Sequence, residues 1–289
     1  MQYSGLNEAL KQGVTGSGKR PLGMIFCEDQ TEVNTTARHL MQLGFSPVLL
    51  FMPPHLTLSP DVAERTARID FEPHHPGAVQ RAVSRVAAAA PRRWMHYCYN
   101  AEFLFYPFCE TRSVGEMLAF HTEERRDAML TYVVDLYAGD LKHAPDAVSL
   151  DDAWLDRSGY YALARSDAPR GGAPKERQLD FFGGLRWRYE EHVPPERRKI
   201  DRIALFRAKR GLVLREDHTF SDEEYNTYAC PWHNNLTAAL ASFRTAKALK
   251  RNPGSSHDIA SFRWHNSARF EWHSRQLLDL GLMEPGQWF

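Results

Sequence analysis

The segments PLGMIFC at residues 21–27 and SPVLLFM at residues 46–52 are short apolar runs bounded by turn-forming residues. Runs of this length and composition are typical of buried strands. Residues 28–44 between them place Ala37, Leu40 and Leu43 on one helical face and end at Gly44, a residue that commonly stops a helix. A strand, a helix and a strand within about 30 residues predict a βαβ unit and hence a parallel sheet.

The same alternation continues along the chain, which predicts an α/β fold with a mixed, mainly parallel sheet flanked by helices. Further helices are predicted at residues 77–90, 114–120, 235–250 and 259–280. Further strands are predicted at residues 94–99 and 127–136, and a hairpin is predicted from residues 203–206 and 211–214.

Composition divides the chain into segments of different character. Residues 1–20 are polar and rich in Gly and Ser, and they predict a flexible leader. Residues 21–234 then form the main domain, in which residues 138–180 carry dense Pro, Gly, Asp and Ser and predict a long surface insertion. Residues 235–289 predict a C-terminal helical extension.

The overall charge balance disfavours a nucleic-acid partner. Lys plus Arg and Asp plus Glu both number 36, so the chain lacks the global positive charge that drives sequence-independent binding to nucleic acids. The four cysteines form no CxxC pair, and we expect reduced thiols. The N-terminal segment has no apolar signal-peptide region, so we expect a cytoplasmic protein.

One segment resembles a known family. Residues 99–107 read YNAEFLFYP, which is similar to the strand-end turn Asp-x-Asp-Glu-Phe-Leu of bacterial family 2 glycosyltransferases. Colinear matches follow at Val134–Tyr137, at Phe181–Arg186, from Arg202 to His218, and at Trp232-His233. The resemblance implies a GT-A-like, Rossmann-type fold and transfer of a sugar from a nucleotide sugar to an acceptor.

The resemblance fails where that family holds its cation. Tyr99 and Ala101 occupy the positions of the two aspartates, and only Glu102 retains a carboxylate. A phenol is protonated at neutral pH and alanine has no ligand atom, so this turn cannot hold Mg²⁺ or Mn²⁺ between two carboxylates. Three alternatives follow: the metal is absent, it is held at another site, or the activity is lost.

Several basic side chains are candidates for replacing the cation. Arg186 and Arg188 follow a Gly-Gly turn, and guanidinium groups bind diphosphate in a bidentate manner. Arg202 stands where the family has lysine. His218 and His233 are candidates for binding phosphate when protonated, or for holding Mg²⁺ or Mn²⁺ with Glu102 or Asp135. Ordinary salt bridges and structural histidines are the alternative interpretations.

The remaining candidates concern the acceptor and the nucleotide. Asp135 closes an apolar strand, and we predict that it acts as general base on the acceptor hydroxyl, together with the catalytic candidates Arg186 and His218. Glu28 and Asp29 follow the first long strand, where a nucleotide crevice opens in α/β sheets, and with Tyr99, Asn100 and Glu102 they are the predicted donor contacts. Capping and turn roles explain Glu28, Asp29 and Asp135 equally well.

The resemblance implies a glycosyltransferase of surface-polysaccharide or glycoconjugate assembly. The expected partners are a UDP- or GDP-sugar and a carbohydrate or lipid-linked acceptor. The aromatic tail at residues 284–289 is a candidate for peripheral membrane contact, although packing within the protein is the simpler expectation. The alternative function is a catalytically inactive protein that binds nucleotides or sugars and serves in regulation.

Overall fold

Helices and strands alternate along most of the chain in the computed structural model, which describes residues 1–228 and 235–288. The strands are β1 (Gln2–Tyr3), β2 (Leu22–Phe26), β3 (Val48–Met52), β4 (Ala67–Asp70), β5 (Trp94–Tyr99), β6 (Glu102–Phe105), β7 (Ala128–Ala138), β8 (Ala153–Asp156), β9 (Tyr161–Asp167), β10 (Ala173–Phe182), β11 (Asp201–Arg207), β12 (Ala238–Ser242) and β13 (Ser267–Arg269). The helices are α1 (Leu6–Lys11), α2 (Val33–Leu43), α3 (Pro60–Arg65), α4 (Ala78–Ala89), α5 (Val114–Glu123), α6 (Gly184–Arg188), α7 (Arg244–Arg251), α8 (Pro253–Ser256) and α9 (Ser274–Asp279).

The described residues fall into two units. The first comprises Met1–Leu104, Thr111–Leu130 and Ile203–Asn226. The second comprises the described residues of Phe105–Glu110, Thr131–Arg202 and Thr227–Phe289. The fold is α/β, with a mixed and mostly parallel sheet flanked by helices, as the alternating sequence pattern predicts.

The first unit contains a sheet whose strands follow the order β1-β4-β3-β2-β5-β11. β1 to β5 pair in parallel, whereas β11 is antiparallel to β5, with Arg207 opposite Trp94. Every residue of β2 and β3 is buried, which is expected when helices cover both faces of a parallel sheet. The predicted βαβ unit is therefore confirmed.

The helices of the first unit bury one apolar face each. α2 buries Val33, Ala37 and Leu40, and it ends at Gly44 with φ 103°, a left-handed conformation that glycine adopts without a steric penalty. α4 buries Val79, Val83 and Val86, which lie three or four residues apart on one helical stripe.

The second unit has its own pairings and core. Residues Thr131–Asp135 of β7 pair in parallel with β12, and Leu136–Ala138 pair antiparallel with β8. β8 also pairs with β13, and β9 with β10, in both cases antiparallel. A buried apolar cluster of this unit consists of Tyr137, Ala147, Leu185, Ala246, Leu249, Ile259 and Phe262.

The N-terminal segment differs from the flexible leader expected of residues 1–20. β1 extends the sheet beside β4, and α1 buries Leu6 and Ala9. Polar and glycine-rich composition suggested mobility, but the few apolar side chains of this segment are sufficient to anchor it to the first unit.

Arg93 holds the end of the same segment in place. Its buried guanidinium donates to the carbonyl oxygens of Thr15, Gly16 and Arg20, and also to that of Ser46 at 2.6 Å. Burial lowers the pKa of this guanidinium, and none of the described carboxylates pairs with it. Main-chain carbonyls alone satisfy the buried cation.

Predictions after residue 137 were less accurate. The predicted helical extension at residues 235–289 contains two strands, β12 and β13. The prediction failed at β12 because its run AALAS has no hydrophobic period that distinguishes a buried strand from a helix. Residues 138–180 contain β8, β9 and most of β10, so the predicted insertion is more regular than expected. Residues 211–214 form no hairpin strand, and Leu214 only makes an isolated bridge to Phe220.

We predict that Arg93→Met destabilises the protein by about 2–4 kcal/mol, because several buried carbonyl oxygens lose their donor. Urea denaturation measures this change. Arg65→Met is the control: Arg65 is exposed on α3, and its replacement should change stability by no more than about 0.5 kcal/mol. Equal effects of the two substitutions would contradict the role assigned to Arg93.

Candidate functional site

The order of the first unit's sheet reverses at β2. The chain passes from β2 to β3 and β4 on one side, and β5 then lies on the other side of β2. In open α/β sheets ligands bind beyond the carboxyl ends of the two strands that flank such a reversal. Glu28 and Asp29 follow β2, while Tyr99 ends β5 and Asn100 follows it. We call these four residues the β2/β5 edge.

Asn100 joins the two strand ends of the β2/β5 edge. Its side-chain oxygen accepts from the Glu28 main-chain N–H at 2.9 Å. Its amide nitrogen donates at 2.8 Å both to Asp29 Oδ1 and to the Thr31 carbonyl oxygen. Asn100 is fully buried, whereas Glu28 and Asp29 are partly exposed. The asparagine therefore fixes the main chain of an edge whose two acidic residues remain accessible.

The turn after β5 is held by its own side chains. The Glu102 carboxylate accepts from the Tyr99 N–H at 2.8 Å, and the Ala101 N–H donates to the Thr36 hydroxyl at 3.0 Å. Ala101 has φ 60°, a left-handed conformation that is uncommon for residues other than glycine. The one carboxylate of this turn is thus engaged in closing it, and Glu102 is fully buried.

His74 lies at the same edge, and no pattern in the sequence identified it as a candidate. It follows β4, and its Nε2 lies 3.2 Å from the carbonyl oxygen of Glu28. The His74 side chain is exposed. Its position at the carboxyl end of a parallel strand would have identified His74 as a candidate. That position can be recognised only once β4 is known to pair with β3.

His218 contacts a tyrosine of β5. The Nδ1 atom of His218 lies 3.0 Å from the Tyr97 hydroxyl, and the two rings stack with centroids 5.9 Å apart. His218 has φ 62° in a turn of the first unit. The contact with Tyr97 accounts for the orientation of the imidazole, and the predicted catalytic role of His218 stays a prediction.

Asp135 is buried in the second unit beneath the Gly183-Gly184 turn. Its Oδ2 accepts from the Leu185 N–H at 3.0 Å. Gly184 has φ 61°, and a Cβ atom at this position would lie 2.9 Å from Asp135 Oδ2, so glycine permits the close approach. The other oxygen, Oδ1, makes no hydrogen bond within the described residues.

Arg186 is the cation closest to that second oxygen. Its Nε lies 3.7 Å from Asp135 Oδ1, too far for a hydrogen bond, and donates to the Thr245 hydroxyl at 3.1 Å. Arg186 also donates to the Lys199 carbonyl oxygen. Burial raises the pKa of Asp135, and the charge of Arg186 and the nearby Thr245 hydroxyl oppose that shift. Thr245, which carried no signal in the sequence, holds Arg186 in position.

Arg188 forms a different and complete ion pair. Its Nη1 contacts both oxygens of the buried Asp156 at 3.0 and 3.2 Å, and its Nη2 donates to the Phe262 carbonyl oxygen. The guanidinium also lies 4.6 Å from the centre of the Trp264 ring. These partners explain Arg188 as a structural cation, so the geometry does not favour the predicted role in donor binding.

Tyr160 lies between the glycine turn that covers Asp135 and the main chain of Asp156, and no sequence pattern identified it. It lies against Gly183, and its hydroxyl donates to the Asp156 carbonyl oxygen at 3.1 Å. Burial raises the pKa of Tyr160, and the charges of Asp156 and Asp135 raise it further. Asp135 is therefore surrounded by a glycine turn, a protonated phenol and one arginine.

Arg202 and His233 are two further candidates for contact with the donor. Arg202 is a buried residue of β11 whose carbonyl oxygen accepts from the Thr131 hydroxyl at 2.5 Å. His233 lies outside the described residues. Across residues 1–228 and 235–288 no group of three or more His, Cys, Asp or Glu side chains is arranged to hold a metal ion.

Trp288 of the aromatic tail packs within the second unit. Trp288 is buried, and its ring centre lies 6.3 Å from that of Tyr106 and 5.9 Å from that of Phe108. Among the described helices, none combines the length and the apolar character needed to cross a bilayer. The predicted peripheral membrane contact stays a prediction.

Comparison with known proteins gives no family for this chain. No protein-family model and no curated protein matches it. The resemblance to family 2 glycosyltransferases consequently stays a hypothesis, and function has to be argued from the two groups of residues around Asn100 and Asp135.

We predict that Asp135→Asn is at least as stable as the wild type at pH 7, with a gain of about 1–2 kcal/mol. A carboxyl whose pKa is raised by folding opposes folding once it is charged, so the gain should grow as the pH rises above the ordinary aspartate value of 3.8. Below that value the difference should vanish. Thermal denaturation across this pH range measures it.

Asp156→Asn is the matched control, since Asp156 is equally buried but accepts from Arg188, Tyr137 and Trp264. Its replacement leaves Arg188, whose side chain is only 11% exposed, without its counter-charge and should cost about 3–5 kcal/mol. A comparable loss of stability in Asp135→Asn would show that Asp135 is a structural partner of Arg186.

Proposed function

We propose that this protein is a glycosyltransferase that binds a UDP- or GDP-sugar at the β2/β5 edge. The observation that carries the proposal is the reversal of strand order at β2 together with the bridge that Asn100 makes across the two strand ends. Phosphate and ribose groups bind at such positions because loop N–H groups and acidic side chains converge there. Glu28 and Asp29 are the proposed contacts to the base or ribose.

Asp135 is the proposed general base. It removes the proton from the acceptor hydroxyl while that oxygen bonds to the anomeric carbon and the nucleoside diphosphate leaves. General bases work best when their pKa is close to the working pH, and burial raises the pKa of Asp135 in that direction. The oxygen Oδ1 makes no hydrogen bond within the described residues and is itself buried, so the proposed role requires the covering Gly183-Gly184 turn to move aside for the acceptor hydroxyl.

Charge on the leaving diphosphate requires a positive partner. Tyr99 and Ala101 provide no pair of carboxylates for Mg²⁺ or Mn²⁺, and the Glu102 carboxylate is bonded to the Tyr99 N–H. Arg186 of the second unit remains the candidate cation that the sequence proposes, because a guanidinium matches phosphate oxygens geometrically. The proposed acceptor is a carbohydrate or a lipid-linked sugar, as in polysaccharide assembly.

The engagement of Glu102 also favours a second candidate function. A protein that had lost turnover but retained the β2/β5 edge would bind a nucleotide or sugar and serve in regulation. Release of nucleoside diphosphate from a UDP- or GDP-sugar separates the two candidates. The enzyme should release it, and Asp135→Asn should slow the release by about 10²–10⁴-fold, whereas a binding protein should release none.

We predict that UDP or GDP binds the protein with little change in affinity when EDTA is added. Calorimetric titration with a panel of nucleotides tests this. The double variant Glu28→Gln, Asp29→Asn retains the acceptor oxygens but lacks their charge, and it should bind about tenfold more weakly, as expected for losing charged hydrogen bonds worth about 1.5 kcal/mol.

Asp61→Asn, an exposed carboxylate of α3, is the control and should bind like the wild type. The absence of binding by every nucleotide would contradict both candidate functions. A strong loss of affinity with EDTA would instead show that a metal ion takes part and that its ligands lie elsewhere.

A further inference from the structure

A pocket of about 440 Å³ opens in the first unit and is lined by Arg92, Arg207, Lys209 and Arg210. Pro91, Asp127, Ala208 and Tyr225 complete its lining. Four cationic side chains thus surround a single carboxylate. Such a concentration of one charge is unfavourable by itself and attracts anions.

Two of the four cations are already paired. Arg207 lies 3.3 Å from Asp127 Oδ1, and Lys209 lies 2.7 Å from Asp222 Oδ2. The guanidinium groups of Arg92 and Arg210 form neither a hydrogen bond nor an ion pair within the part of the chain that the structure describes. After these pairings, two positive charges are left facing the pocket.

The main chain holds Arg92 rigidly at the pocket rim. Its N–H donates to the Ala208 carbonyl oxygen at 2.6 Å, and its own carbonyl oxygen accepts from Arg207 Nε at 3.1 Å. Arg92 has φ 70°, a conformation that favours glycine or asparagine over arginine. Strained residues of this kind are concentrated at functional sites.

The pocket lies at the opposite edge of the sheet from the β2/β5 edge. Arg92 precedes the first residue of β5, whereas Asn100 follows the last, and the six residues of β5 span roughly 20 Å. β11 ends at Arg207 beside Trp94 and so brings its basic residues to this same edge. The pocket is therefore distinct from the proposed nucleotide site.

We propose that this pocket binds a phosphate group, carried by a small phosphorylated solute or by a lipid headgroup. Arg92 and Arg210 provide planar donors that match phosphate oxygens, and Arg207 and Lys209 add charge at the pocket wall. This site would bind a phosphorylated ligand independently of the nucleotide at the β2/β5 edge.

The test is a titration of the full chain with inorganic pyrophosphate, followed by NMR at the main-chain amides of residues 209–211. Saturable shifts are expected there in the wild type. The double variant Arg92→Asn, Arg210→Gln should bind about tenfold more weakly, because two charged donors are lost. Asparagine is chosen because it tolerates the left-handed conformation of residue 92.

The control variant Arg65→Gln, Lys19→Gln loses the same charge outside the pocket and should bind pyrophosphate like the wild type. Vesicles of phosphatidic acid in phosphatidylcholine, compared with phosphatidylcholine alone, identify the source of the phosphate. Retention on the acidic vesicles that the pocket variant loses supports a lipid headgroup, and pyrophosphate binding without retention supports a solute.

Two results would overturn the proposal. One is the absence of both saturable shifts at residues 209–211 and retention on acidic vesicles. The other is equal binding by the pocket variant and the wild type. Neither result bears on the proposed function, since UDP or GDP binding at Glu28 and Asp29 is measured separately and should be unchanged in the pocket variant.

Discussion

The hydrogen bonds of the Asn100 side chain are the interaction on which the proposed site depends. One amide group connects the main chain after β2 with the main chain after β5, at the point where the strand order reverses. A carboxylate in place of this amide would have no N–H group to donate to Asp29 and to the Thr31 carbonyl oxygen. It would also place a second carboxylate directly beside that of Asp29. The amide thus joins both strand ends without adding a charge, and Asp29 stays partly exposed at an edge that parallel strands leave open to ligands.

The sequence predicted the first half of the fold well because hydrophobic period and turn residues agree there. β2 and β3 are short apolar runs and α2 has a clear helical period, and α2 and β3 end just before Gly44 and Pro53-Pro54. Beyond residue 137 that agreement fails. The run AALAS is compatible with helix and strand alike, and only its pairing with β7 decides between them. The N-terminal anchor depends on Arg93, seventy residues away, which no local pattern reveals.

The candidate site was predictable to a smaller extent. Strand ends pointed to Glu28, Asp29 and Asn100, and the Gly-Gly turn pointed to Arg186, which the structure places beside Asp135. Arg188 has the same sequence context as Arg186 but forms an ion pair with Asp156. Residues two positions apart on a helix face different neighbours. Thr245, Tyr160 and His74 required tertiary pairing to be recognised. Each of these three residues is a common residue type in a stretch of sequence without a motif, so only its position in the folded chain identifies it.

A crystal structure of the protein with bound UDP or GDP tests the central claim most directly. The account predicts that the base or ribose contacts Glu28 or Asp29 and that Asn100 retains its hydrogen bonds to both strand ends. A nucleotide bound elsewhere on the chain, with the β2/β5 edge empty, would contradict it. In that case the reversal of strand order at β2 would be a property of the fold alone and would carry no information about function.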